Sequence, residues 1–143
     1  MSVQTSTYEV LTAMYGTLTL DGTLMGMITG VFDFGAVPTN QPFPYVTIGD
    51  FMEKPDNAFG NRGYITTHKL HIWDSQSLAG FQKSQQILAR LNTLLDQQPM
   101  TLATHTFVYC LYQQAIPMND PGEDKILHTS VEYEVFTQEP IHT

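Results

Sequence analysis

Tyr64-Ile65-Thr66-Thr67-His68-Lys69-Leu70-His71-Ile72-Trp73 decides the fold. His68, Leu70 and Ile72 alternate with Thr67, Lys69, His71 and Trp73, the period of two that marks a strand. Upstream, Pro44-Tyr45-Val46-Thr47-Ile48-Gly49-Asp50-Phe51 reads as a second strand, bounded by Pro and Gly. Met52 to Gly63 lies between them and carries Pro55, Asp56, Asn57, Gly60, Asn61 and Gly63. That is loop composition, so the two strands are expected to form an antiparallel hairpin with a long projecting tip.

Downstream, Asp74-Ser75-Gln76-Ser77 offers helix-capping oxygens. From Leu78 to Leu95 the residues Phe81, Leu88, Leu91 and Leu95, with Ile87 and Leu94, trace an apolar helical stripe, and Gln82, Lys83, Gln85, Gln86 and Arg90 fall on the other side. Thr104 to Ile116 reads as a strand with apolar residues on both faces, which predicts cover on both sides, by a helix and by a neighbouring subunit. Pro117 to Lys125 is a second loop with an acidic tip, and Ile126 to Phe136 returns as a strand.

At the other end, Ser6-Thr7-Tyr8-Glu9 has the form of a capping box, followed by Leu11, Met14, Tyr15 and Leu18 at helical spacing. Asp21-Gly22 signals a turn, and Thr23 to Met27 adds a helical turn. Val31 to Phe34 is a short apolar run leading into an extended, proline-rich connection that ends at Pro44. The expected architecture is α+β: an antiparallel four-stranded sheet with two helices packed on one face, in the order α-β-β-α-β-β. A single domain is expected over 1–143, with a flexible C-terminal tail over about 138–143.

Composition narrows the function. The chain has 143 residues, 42 % of them hydrophobic, which is enough for a core without metal or disulfide. Charged residues are only 14 %, and the formal net charge is −8. Broad binding to a nucleic-acid backbone needs clustered Lys and Arg and is disfavoured. A surface short of charge but rich in Thr, Gln and Asn suits contact with other protein. No run reaches the length of a membrane span, no signal peptide opens the chain, and one cysteine, Cys110, excludes an internal disulfide framework.

Catalytic groups do not converge. His68 and His71 point to opposite faces of a strand, and His105, His128 and His142 have no neighbouring ligand at metal spacing. Cys110 sits in an apolar strand and reads as buried filler. There is no Gly-x-Ser-x-Gly elbow and no complete phosphate loop around Gly22, Gly26 and Gly30. Trp73, Tyr109, Tyr112 and Tyr133 lack the basic neighbours of a base-stacking platform, since only Lys69 is near. Glu132 and Glu134 share one face of a strand, where a solvated or intersubunit role outweighs acid–base work.

Val31-Phe32-Asp33, the Pro-rich connection and Pro44-Tyr45-Val46-Thr47-Ile48-Gly49 together resemble the start of the tail-completion family of long-tailed phages, also described as tail-terminator or tail-to-head joining proteins. Leu70-His71-Ile72-Trp73-Asp74 resembles its second strand, and Glu132-Tyr133-Glu134-Val135-Phe136 its closing strand. The resemblance in order and spacing covers Thr7 to Pro140. It implies a subunit of a homo-oligomeric ring, typically a hexamer, at the head-proximal end of a tail tube. Such a ring caps the tube, contacts the tail tube protein and the head-completion or connector protein, and lets DNA pass through its lumen. It implies no catalysis, cofactor, metal or membrane, assembly in the host cytoplasm and residence in the virion.

Under that resemblance the loop from Asp50 to Gly63 and the loop from Asn119 to Lys125 are the docking elements. The candidate interface residues are Asp50, Glu53, Lys54, Asp56, Asn57, Phe59, Arg62, Asp120, Glu123, Asp124 and Lys125, joined by Glu132 and Glu134. Two rival classes stand beside it: a monomeric adaptor or inhibitor that pairs an exposed edge strand with a phage or host protein, and an enzyme using Glu132 or Glu134 with a histidine.

Overall fold

A computed structural model of the chain describes residues 5–57, 62–75, 80–119 and 126–139. Within them lie α1 (Thr7–Thr19), α2 (Gly22–Met25), β1 (Val31–Asp33), β2 (Tyr45–Pro55), β3 (Gly63–Ser75), α3 (Gln82–Leu95), β4 (Thr106–Asn119) and β5 (Ile126–Gln138). The strands form one five-stranded sheet in the order β1-β2-β3-β5-β4. β2–β3, β3–β5 and β4–β5 pair antiparallel, whereas β1 pairs parallel with β2.

The sheet is therefore mixed and five-stranded, which corrects the antiparallel four-stranded expectation. The short run at Val31 is the extra strand. Its main chain is tied to β2 by Val46 N donating to Gly30 O (3.1 Å) and Phe34 N donating to Ile48 O (2.9 Å). The extended connection through the prolines carries the chain back to start β2 beside β1 in the same direction. Three residues are too few for alternation to register. Gly49 is needed beside this strand, since a Cβ there would stand 2.2 Å from Cβ of Phe34.

β2 also continues past Phe51 to Pro55, and β4 continues through Pro117 to Asn119. Both regions were expected to be loop. Pro55 lies beyond the three residues that β1 covers, and Pro117 lies on an edge strand, so neither missing N–H breaks a ladder. The β2–β3 tip is thus shorter than its composition suggests.

Parity assigns the two sheet faces. Val46, Ile48, Leu70, Ile72, Val131, Tyr133, Val135 and Cys110 point to one side and form a buried cluster with Val10, Met14 and Leu18 of α1, Leu24 of α2, and Ile87, Leu91 and Leu95 of α3. Each such side chain contributes on the order of 1.5–3 kcal/mol by leaving water. Tyr133 Oη donates to Asn92 Oδ1 (2.6 Å), fixing α3 against β5. Asp21 caps α2 by accepting from Leu24 N, and its carboxylate also takes two donations from Arg90 of α3. The Arg90 donation, then that of the Leu24 amide, holds the Asp21 carboxyl at about 2.

Two expected caps are used differently. Ser6 makes no side-chain cap; its N and Oγ donate to Glu53 Oε1 of β2 (2.8 and 3.2 Å). Glu9 turns away to accept from Thr104 N, Thr104 Oγ1, His105 N and His105 Nδ1. Burial pushes the Glu9 carboxyl up, but these donations outweigh it and hold it at about 2. Asp74 and Ser75 belong to β3, and Phe81 stands at the start of α3 without a side-chain cap. Residues 76–79 lie outside the described residues. Of the expected tail, Gln138 closes β5 and Glu139 accepts from Tyr64 Oη, while 140–143 lie outside the described residues.

Candidate functional site

The sheet face turned away from the helices is lined by Phe32 and Phe34 beside β1, Tyr45 and Thr47 of β2, Lys69, His71 and Trp73 of β3, and His128, Ser130, Glu132 and Glu134 of β5. No described helix packs on it. Rings run across it in a row. Phe43 stacks on Tyr45 at 5.4 Å, Tyr45 on Trp73 at 6.5 Å, and Trp73 on His128 at 4.0 Å with planes 6° apart. Trp73 Nε1 donates to Thr47 Oγ1 (3.0 Å), which fixes the indole.

A β-bulge places the next group. The β2–β3 register shifts between Gly49 and Phe51, leaving Asp50 as an extra residue with φ 53°. That left-handed conformation is strained for a residue with a Cβ, though Asp tolerates it better than most. The bulge aims Asp50 Oδ2 at His71 Nε2 (3.0 Å), and His71 Nδ1 meets His128 Nε2 at 2.6 Å. His71 is buried and Asp50 half exposed. Burial pushes the His71 imidazole below its ordinary range, and the Asp50 carboxylate opposes that push.

The bulge also reverses the parity of β2. Phe51 and Glu53 pair with His68 and Thr66 on the helix side, and Met52 and Lys54 pair with Thr67 and Ile65 on the bare side. Glu53 is consequently an anchor for α1, and Lys54 is exposed. Asp56 and Asn57 are exposed at the β2–β3 tip, where Asp56 N donates to Gly63 O (2.8 Å). Arg62 O accepts from Glu139 N. Phe59, Asp120, Glu123, Asp124 and Lys125 lie outside the described residues. Glu132 stands opposite Lys69, and Glu134 accepts from Tyr109 Oη (2.9 Å).

The thirteen candidates thus do not converge on one place. Asp50, Lys54, Glu132 and Glu134 share the bare face, and the described others spread to the tip and to α1. Sequence reasoning missed the grouping of Asp50, His71, Trp73 and His128. Equal parity of His71 and Trp73 was a usable signal, but the strand register that brings His128 beside them was not. Among the described residues no group of three or more His, Cys, Asp or Glu is arranged to hold a metal. Cys110 is buried, and burial first, then Asp96, pushes its thiol up to about 12, so it is inert as a nucleophile.

One edge of the sheet is guarded. β4 is 14 residues long and carries no charged side chain. Midway along its outer side, Tyr112 N donates to Asp96 Oδ1 (2.8 Å) and Cys110 O accepts from Gln97 N (2.7 Å). Gln97 has φ 58°, the conformation that lets the turn after α3 reach back to the edge.

Fold and site define a small α+β protein with one helix-covered sheet face and one bare, aromatic-lined face. The sequence profile of the family described as Tail completion protein gp17 matches residues 12–138, and the chain belongs to that family of structural phage tail proteins. Two solved structures share the fold. One is a chain in the virion of a native gene transfer agent (GTA) particle, with a TM-score of 0.84, 15 % identity, and 95 % of this chain and 99 % of that one covered. The other is the gp17 protein of bacteriophage SPP1, with a TM-score of 0.55, 23 % identity, and coverage of 96 % and 94 %. No curated protein matches the sequence. Among the described residues no helix is long and apolar enough to cross a membrane.

Proposed function

We propose that this chain is a ring-forming tail terminator. Copies close into a homo-oligomeric annulus, with six as the expected number, that caps the tail tube at its head-proximal end and joins it to the head connector. Its work is done by shape, without catalysis, and its place is the virion. The observation that carries the reading is the family match across residues 12–138.

Three features support it. A closed ring needs two different surfaces on each subunit. The bare sheet face offers one, and the helix layer, with Tyr8 at 77 % and Leu20 at 87 % exposure, offers the other. A net charge of −8 suits a channel that must pass DNA without gripping it. The β2–β3 tip, with Asp56 and Asn57, and the segment from Asp120 to Lys125 are the proposed docking elements toward tube and connector. The rival edge-strand adaptor loses support from the guarded middle of β4, because an incoming strand would find Cys110 O and Tyr112 N already paired.

Electron microscopy of the purified chain, alone and with tail tube protein, is the test. Annuli that cap tube ends are expected. Monomers alone, at high concentration and in the presence of tube protein, would overturn the reading. Deleting residues 55–60 is expected to leave a folded chain that fails to complete tails; complete tails would remove the tip from the docking surface.

A further inference from the structure

The bare face holds a hydrogen-bonded series whose proton count is limited by geometry. Asp50 Oδ2 can only accept when ionised, so His71 Nε2 carries a hydrogen. At 2.6 Å, the contact between His71 Nδ1 and His128 Nε2 has room for one hydrogen and requires one. Two protonation states satisfy this. In the first, both rings are neutral and His128 Nε2–H donates to His71 Nδ1. In the second, one added proton makes an imidazolium, and a charge-assisted bond of the same length joins it to the neutral ring, with the Asp50 carboxylate compensating the charge. A second added proton sets N–H against N–H and two cations within one bond length. The contact must then break.

We propose that Asp50, His71 and His128 form an acid-sensitive latch on the bare sheet face, closed while the series holds at most one added proton and opened by the second. Two further observations show that the place is built. Asp50 reaches His71 only because a bulge holds it in a left-handed conformation, the kind of local strain that persists where the surroundings demand it. His128 lies flat on Trp73 at 4.0 Å, so the latch sets the position of a ring in the aromatic row.

The charged surroundings favour closure at neutral pH and opening on the acid side. From β2, Asp50 faces His71. From β3, Lys69 raises the local potential and disfavours a further proton. From β5, Glu132 stands across from Lys69 as the nearest acidic group on that strand. Beside β1, Phe34 lies 6.0 Å from the His71 ring and brings no charge. From β4, Met118 sits opposite His128 and is neutral. Asp120, Glu123, Asp124 and Lys125 precede β5 outside the described residues. Burial of His71 adds a push in the same direction, so opening falls below the ordinary imidazole range near pH 6.5. The latch stands on this geometry and does not depend on ring formation.

Trp73 is the only tryptophan in the chain, so its emission reads the stack directly. The test is an acid titration of the intact chain followed by Trp73 fluorescence and by NMR of the histidine ring carbons. Expected are two coupled histidine steps separated by more than about one pH unit, with the emission change on the lower step. His128→Gln should abolish the emission change and leave His71 titrating in one step. Asp50→Asn, which keeps the shape, should lower the upper midpoint. Far-UV circular dichroism at each pH keeps unfolding separate from opening. Independent titration of His71 and His128, with neither midpoint moved by loss of the other ring, would overturn the latch. So would an emission change that survives in His128→Gln.

Discussion

His68 and His71 are three residues apart on β3 and face opposite sides of the sheet, and their surroundings could hardly differ more. His68 is sealed on the helix side. Its Nε2 donates to Thr66 Oγ1 (2.9 Å), whose hydroxyl donates to Val135 O, and its Nδ1 has no hydrogen-bond partner among the described residues. Burial pushes its imidazole down to about 4. His71, on the bare face, has Asp50 on one nitrogen and His128 on the other. The helix side is built to stay neutral and closed. The bare side keeps charge, aromatic rings and water access together. One sheet thus separates a sealed face from a polar, aromatic one that stays open for the proposed contact, a division that alternation along a strand makes possible.

The sharpest test of that division is in the core. Leu91 is fully buried between α3 and the sheet, so Leu91→Ala should lose about 2–5 kcal/mol. Urea denaturation checks this, and an unchanged midpoint would mean that the two faces are not divided as described.

His68 gives the next effect. Its folded value of about 4 lies below the ordinary 6.5, so on acidification the unfolded chain takes up the proton first. The stabilisation is complete above pH 6.5 and is lost progressively down to about pH 4, a total of about 3 kcal/mol. The difference in unfolding free energy between pH 7 and pH 4 should shrink in His68→Leu by about this amount; an equal difference in both chains would place the acid sensitivity elsewhere.

The smallest effect belongs to the bare face. Both carboxylates are half-buried, and Glu134 holds the Tyr109 hydroxyl, so Glu132→Ala with Glu134→Ala should lower unfolding free energy by about 1 kcal/mol while reducing annulus formation. Full assembly by the double variant would take these carboxylates out of the contact surface.

Much of this was legible in the sequence because half-buried strands write their parity into it. Leu70 and Ile72 on one side and His71 and Trp73 on the other could be read directly, as could the Leu91–Leu95 stripe of α3. Other features depend on partners distant along the chain. The local capping signal at Ser6 and Glu9 was correct chemistry, yet Glu53 and His105 compete for the same atoms and win. The bulge at Asp50 was hidden because Gly49-Asp50 looks like a strand end. Phe51 thereby changed faces, and Glu53 became a structural anchor. His128 joined the aromatic row only through the β3–β5 register, which no single strand encodes.

The Asp96 and Gln97 clip on β4 has a consequence for how copies would meet in the proposed ring. Growth by adding strand to strand has no natural end, and an unclipped neutral edge of this length would invite it. With the edge interrupted halfway, such stacking finds only short unoccupied stretches. In the proposed ring, face-to-face docking is then the more favourable route, and that route can finish at a fixed number of copies.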